Sequence, residues 1–205
     1  MKSTVQFPDP NTADDDGLVA VGGGLDPDFI LSAYMQGIFP WFGDEDPILW
    51  WSPNPRFVLF PERLKVSKSM KRLLRNNGYT ITVNRAFEEV IAECSKIKRS
   101  GQRGTWITQS MIEAYTTLHQ LGYAKSVEVW NGDILVGGLY GIDLSNGVFC
   151  GESMFSKESN ASKIAFITLI QDNKYTLIDC QVYTNHLESL GAEEIPRGDF
   201  LKYLK

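Results

Sequence analysis

Cysteine and histidine are scarce in this sequence: Cys94, Cys150, Cys180, His119 and His186 are all there are among 205 residues. The cysteines are odd in number, far apart and without a CxxC pair. That excludes a disulfide framework and leaves no ligand set for a structural metal. No apolar run approaches the roughly 20 residues needed to cross a bilayer. Met1-Lys2-Ser3-Thr4-Val5-Gln6-Phe7-Pro8 lacks the apolar core of a secretory signal. A soluble cytoplasmic protein with no membrane contact is expected. No GxxxxGK[ST] or strand-following GxGxxG occurs, so Gly22-Gly23-Gly24 reads as a turn ahead of a helix. No Ser-His-Asp or Cys-His arrangement stands in a recognisable context either.

Positive charge is also in short supply, with 20 Lys and Arg against 25 Asp and Glu. Its distribution matters more than the net charge of -5. Arg63, Lys65, Lys68, Lys71, Arg72 and Arg75 place six cations within thirteen residues with no acid among them. Lys96, Lys98, Arg99 and Arg103 form a second cluster, while Asp14-Asp15-Asp16 and Asp44-Glu45-Asp46 gather acids elsewhere.

Asp26 and Pro27 predict the start of a helix that Gly37 closes. Residues 38–61, dense in Pro and aromatics, predict irregular packed structure, with a domain boundary between residues 61 and 62. Ser67 predicts the cap of a helix reaching Arg75. On it Lys68, Lys71, Arg72 and Arg75 share one face, opposite Met70, Leu73 and Leu74. Such a face is either merely solvated or a binding surface. A strand over 79–83, a helix capped by Asn84 and a helix over 109–121 capped by Thr108 follow. Asn131-Gly132 predicts a hairpin, Ser145-Asn146-Gly147 a turn into a strand near 148–151, then a helix over 161–172 and a strand over 176–182. The order is that of an α+β protein.

In a strand, Asp179 and Gln181 stand two apart and point to one face, with Ile178 and Cys180 on the other. An acid and an amide on an otherwise apolar strand form either the polar outer face of an edge strand or part of a site. Glu152, between Gly151 and Ser153 just past a strand, is either a solvated carboxylate or a binding group beside backbone open to close approach.

Taken together, several stretches resemble the leucyl/phenylalanyl-tRNA–protein transferase family. They include Gly37-Ile38-Phe39-Pro40-Trp41-Phe42, Trp50-Trp51-Ser52-Pro53, Gly104-Thr105-Trp106-Ile107-Thr108, Gly151-Glu152-Ser153-Met154-Phe155-Ser156, Ile178-Asp179-Cys180-Gln181 and Ser189-Leu190-Gly191-Ala192. The resemblance implies a small N-terminal domain, residues 1–61, and a GNAT-acetyltransferase-like domain, residues 62–205, whose mainly antiparallel sheet is flanked by helices. It implies transfer of Leu, Phe or Met from aminoacyl-tRNA to proteins with N-terminal Arg or Lys, marking them for N-end-rule degradation. No metal or organic cofactor is implied.

By the same resemblance, Gln181 orients the attacking amine and Asp179 fixes Gln181. Glu152 binds either the terminal adenosine or the acceptor's cationic end. Trp106, Phe149, Met154 and Ile178 hold the donor side chain, and Lys68, Lys71, Arg72 and Arg75 contact tRNA phosphates. The sequence departs from the family at Lys125 and Gly24, and it stops at Lys205 without the extension of longer members. A CoA-dependent acetyltransferase is disfavoured: the nearest pyrophosphate turn, Arg75-Asn76-Asn77-Gly78-Tyr79-Thr80, ends in Thr and precedes a strand. A non-catalytic tRNA-binding module gives no reason for Asp179, Gln181 and Glu152 to occur together.

Overall fold

The computed structural model describes residues 5–76, 78–97, 105–172 and 174–205. Its first sheet is small. Strands β1 (Leu18–Val21), β2 (Phe39–Pro40) and β3 (Leu49–Trp51) pair antiparallel in the order β1-β3-β2, and helix α1 (Pro27–Met35) runs between β1 and β2. Asp26 occupies the N-cap position of α1, but its side chain makes no capping bond. Phe7 packs edge-on against Trp50 at 4.9 Å and against Phe29 at 5.3 Å, and the Trp50 indole donates to the Gly22 carbonyl at 2.8 Å. The 38–61 stretch, expected to be irregular, thus contains strands. They are too short for alternation to reveal, and ring packing rather than period holds them.

The larger sheet begins with β4 (Arg56–Leu59). Then come α2 (Lys68–Asn76), β5 (Thr80–Val83), α3 (Phe87–Ser95), α4 (Gln109–Gln120), β6 (Ala124–Asn131), β7 (Ile134–Asp143) and β8 (Val148–Ser156). The chain closes with α5 (Ala161–Gln171), β9 (Leu177–Gln181), α6 (Asn185–Glu188), β10 (Glu193–Ile195) and α7 (Arg197–Phe200). Seven strands lie in the order β10-β4-β9-β8-β7-β6-β5, antiparallel at every step except the parallel β8–β9 pair. This is the expected α+β plan of a small N-terminal part and a mainly antiparallel sheet flanked by helices. Strand β4 precedes the expected division at residues 61 and 62, yet it pairs inside the larger sheet with β9 and β10.

Side chains along β7 go to two cores, and a bulge at Val136, where Val129 faces Gly137 but Trp130 faces Leu135, shifts the alternation partway along. Leu135, Tyr140 and Ile142 join α3, α4 and the small sheet in one core, whereas Val136 and Leu139 join α5 and Met70 of α2 in the other. The small sheet and the larger one therefore share a core and are not merely tethered. A hairpin forms where Asn131-Gly132 predicts one, but its turn lies one residue later, at Gly132-Asp133, because Asn131 still pairs with Ile134. The turn at Ser145-Asn146-Gly147 forms as predicted, and Gly132, Ser145 and Gly147 all have positive φ. Thr108 and Ser67 cap as expected, accepting from the Met111 and Met70 amides at 3.3 and 3.2 Å.

Asn84 does not cap a helix. It turns left-handed at φ 59 and accepts the Ser126 amide at 3.0 Å, and α3 starts only at Phe87. Asn tolerates that conformation and ties the chain to the neighbouring strand instead.

Gly37, ending α1, has φ 79, and a Cβ there would lie 2.4 Å from Leu201 Cδ2. Its carbonyl also accepts Arg56 Nη1 at 3.2 Å. Gly37→Ala is expected to cost about 1–3 kcal/mol, from left-handed strain plus the clash, read as a lowered denaturation midpoint.

Candidate active site

Strands β8 and β9 pair in only three rows, Val148↔Leu177, Phe149↔Ile178 and Cys150↔Asp179. Beyond those rows β8 carries Glu152 and β9 carries Gln181. Both line a chamber of about 760 Å³. Trp106, Phe149, Met154 and Ile178 line it too. All the residues expected to hold a donor side chain thus meet in one cavity, together with Glu152 and Gln181. Asp179 lies just behind it. Trp41, about a third exposed and packed edge-on against Trp51, also contributes to the wall.

The polar end of the chamber is dense in hydrogen bonds. Gln181 Nε2 donates to Glu152 Oε1 at 2.7 Å, and Tyr34 of α1 donates to the same oxygen at 2.6 Å. Tyr115 of α4 contacts Glu152 Oε2 at 3.1 Å, and the two phenol oxygens stand 2.5 Å apart. Burial pushes the Glu152 carboxyl up to about 7. Its Tyr and Gln181 hydrogen bonds pull the other way, and the nearby Asp179 charge adds to the rise. Both phenols are pushed well above their usual value, first by burial and then by the Glu152 charge.

The folded chain keeps the Glu152 proton where the unfolded chain has lost it. Stability from this group is therefore present below the ordinary value of 4.5 and lost as pH rises from there to about 7. A denaturant midpoint falling over that interval in the wild type, but not in Glu152→Gln, is the expected result.

Asp179 meets a partner that sequence reasoning assigned no role. Arg56 Nε and Nη2 donate to its two carboxylate oxygens at 2.8 and 2.6 Å, and both side chains are buried. Burial alone would favour the neutral guanidine. The Asp179 carboxylate outweighs it, so the Arg56 pKa stands above its ordinary value. The guanidinium also lies over the Phe39 and Phe200 rings at 4.8 and 4.5 Å. Asp179 Oδ1 accepts the Gln181 backbone amide at 3.0 Å, and Gln181 turns left-handed at φ 65. Strand alternation therefore does not set the direction of Gln181. The strand ends there, and Asp179 pins the turned peptide.

Arg56 had a legible signal: a cation opening the apolar run Arg56-Phe57-Val58-Leu59 needs a buried acid. Tyr34 and Tyr115 had none, because both sit on apolar helix stripes where core packing is the ordinary outcome.

Burial pushes the Cys150 and Cys180 thiols up, so neither offers a thiolate near neutrality. His119 is structural, stacked on Phe87 at 4.3 Å with Nδ1 against the Ala124 carbonyl. His186 borders the chamber, and burial lowers its pKa, leaving a neutral ring. Lys68, Lys71, Arg72 and Arg75 lie exposed on α2, away from the chamber lining. Of the second cluster, Lys96 pairs with Glu93 at 3.0 Å, while Lys98, Arg99 and Arg103 fall outside the described residues. Among the described residues no three His, Cys, Asp or Glu side chains converge as a metal site, and no helix is long and apolar enough to cross a membrane.

The sheet parts at an apolar chamber that ends on the Glu152 carboxyl and the Gln181 carboxamide, with the Tyr34 and Tyr115 phenols behind them, an arrangement with room for an apolar group beside polar chemistry. Residues 58–205 match the family described as leucyl/phenylalanyl-tRNA protein transferase, and residues 23–54 match its N-terminal domain. The leucyl/phenylalanyl-tRNA–protein transferase of Flavobacterium johnsoniae is 57% identical over 202 residues, covering 97% of this chain and 95% of that one. That of Christiangramia forsetii is 57% identical over 203 residues, covering 97% and 96%. This chain belongs to the leucyl/phenylalanyl-tRNA–protein transferase family. Among solved structures, a GCN5-related N-acetyltransferase from Kribbella flavida aligns at TM-score 0.38 and 13% identity, over 82% of this chain and 60% of that one. A likeness so distant bears on neither substrate nor mechanism.

Proposed function

We propose that this enzyme moves leucine or phenylalanine, and also methionine, from aminoacyl-tRNA to the α-amine of proteins that begin with Arg or Lys. The transfer marks them for N-end-rule degradation in the cytoplasm. The observation that carries the reading is the apolar chamber ending at the Gln181–Glu152 pair. The donor side chain sits against Trp106, Phe149, Met154 and Ile178, and its ester carbonyl lies at the polar end. We also read the chain as two domains. Sheet membership favours drawing the line ahead of Arg56 rather than at residue 62.

The ester is already activated, and an α-amine titrates at about 7.7–8, so a useful fraction is a neutral nucleophile near neutrality. Gln181 Oε1, which makes no hydrogen bond among the described residues, accepts one amine N–H and aims the nitrogen lone pair at the ester carbon. The N–C bond forms, the bond from carbon to the tRNA oxygen breaks, and the amine proton ends on that oxygen. Holding amine and ester together supplies roughly 7–11 kcal/mol of the barrier. Asp179, anchored by Arg56, holds the Gln181 peptide in place. The α2 cations contact tRNA phosphates.

The deciding experiment incubates the protein with labelled Leu-tRNA and peptides beginning with Arg, Lys, Asp or Ala. Label is expected on the Arg and Lys peptides only, and RNase abolishes it. Label on the Asp peptide overturns the acceptor assignment. Replacing Lys68, Lys71, Arg72 and Arg75 together by Ala should flatten the slope of log affinity against log salt by about two to four. An unchanged slope removes α2 from the tRNA contact.

A further inference from the structure

Three oxygen–oxygen contacts join Tyr34, Tyr115 and Glu152: phenol to phenol at 2.5 Å, Tyr34 to Oε1 at 2.6 Å and Tyr115 to Oε2 at 3.1 Å. Each contact needs one proton between its oxygens. The two phenols hold two between them. We propose that the third is the carboxyl proton, so that Glu152 works as a neutral acid in a closed ring, and that Tyr34 of the N-terminal helix is thereby a positioning residue for transfer.

The ring closes in one direction. Glu152 Oε2–H donates to Tyr115, Tyr115 donates to Tyr34, and Tyr34 donates to Glu152 Oε1. That leaves Oε1 as a carbonyl that also accepts Gln181 Nε2–H at 2.7 Å. The Gln181 amide is then fixed with its NH₂ inward and its carbonyl oxygen free for the amine. An ionised Glu152 leaves two protons for three contacts, and two buried oxygens then face each other lone pair to lone pair.

Among the described residues no cation touches Glu152 to favour ionisation. The groups facing it from the surrounding elements are Tyr34 on α1, Tyr115 on α4 and Asp179 and Gln181 on β9. Behind them stand Tyr140 of β7, edge-on to Tyr115, and Arg56 of β4, which is committed to Asp179. Cys150 of β8 keeps its proton, its pKa pushed up by burial. The rise of the Glu152 carboxyl to about 7 agrees with the proton count. An uncharged Glu152 matters because a carboxylate there would hold the attacking amine as ammonium, without its lone pair.

The inference rests on the proposed transfer reaction only for its consequence, so two readouts keep them apart. Infrared difference spectra of the full chain between pH 5.5 and 8.5 should show one carboxylic-acid C=O band, present at the acid end and absent in Glu152→Gln. Its absence from the wild type at pH 5.5 overturns the ring, whatever the activity. In the transfer assay, Tyr34→Phe should lower kcat about 10- to 100-fold with the KM for Leu-tRNA within about threefold. Tyr115→Phe repeats that test from the other arm if Tyr34→Phe unfolds.

Glu152→Gln offers Oε1 as acceptor and an amide N–H to Tyr115, so it is slowed but should outpace Glu152→Ala about tenfold or more. It should also lose the wild-type inflection near pH 7. Glu152→Gln as slow as Glu152→Ala overturns the neutral-acid role. A wild type that transfers nothing removes the reaction while leaving the ring to the infrared test.

Discussion

Arg56→Ala is expected to destabilise the protein by about 3–5 kcal/mol, because it strands the Asp179 carboxylate in a site from which water is excluded. For a chain of this length that corresponds to a drop of roughly 6–20 °C in melting temperature. Packing is lost as well, since the guanidinium lies over the Phe39 and Phe200 rings and donates to the Gly37 carbonyl. A paired substitution separates the causes. Arg56→Met with Asp179→Leu removes both charges, and such apolar replacements of a buried pair are often neutral in stability. The double variant should regain most of the midpoint while transferring poorly, because the Gln181 backbone N–H then loses the carboxylate that pins its turn. A double variant with full activity would show that the pair serves the fold alone.

Gln181→Ala should lower kcat at least about 100-fold, the lower end of what a positioned proton-handling group contributes. The KM for Leu-tRNA should stay within about threefold, because the donor side chain is held by Trp106, Phe149, Met154 and Ile178 and not by the carboxamide. Alanine at φ 65 is itself strained, so Gln181→Gly is the control that restores backbone ease without the side chain. Equal losses in both variants assign the effect to the carboxamide. Full activity in the glycine variant would remove Gln181 from the chemistry.

Much of the fold was legible because its long elements carry clean local signals. Thr108 and Ser67 cap as their side chains dictate, and the Asn131-Gly132 hairpin and the α5 helix arise from turn chemistry and apolar pattern. The small sheet was not, since strands of two to four residues such as β2 and β3 give no readable period. Asn84 shows the other kind of miss: a residue suited both to capping and to left-handed turns does whichever the neighbouring strand rewards. At the site, the resemblance named residues that do meet in one chamber, but not the partners that fix them. Tyr34, Tyr115 and Arg56 come from three elements distant in sequence. The two tyrosines occupy positions where ordinary burial would have accounted for them, whereas Arg56, a cation at the head of an apolar run, signalled a buried acid without saying which.

The common core and the reach of Tyr34 bear on how the molecule comes apart. Phe7, Tyr34 and Trp50 belong to the same packed cluster as Tyr115, Tyr140 and Phe155, so the N-terminal sheet has no apolar interior of its own to melt around. Heating should give a single transition followed alike by Trp fluorescence and far-ultraviolet dichroism, with calorimetric and van't Hoff enthalpies in agreement. A chain lacking the N-terminal 54 residues would uncover apolar surface and lose one arm of the Glu152 cradle, and for such an enzyme assembly and competence are one event.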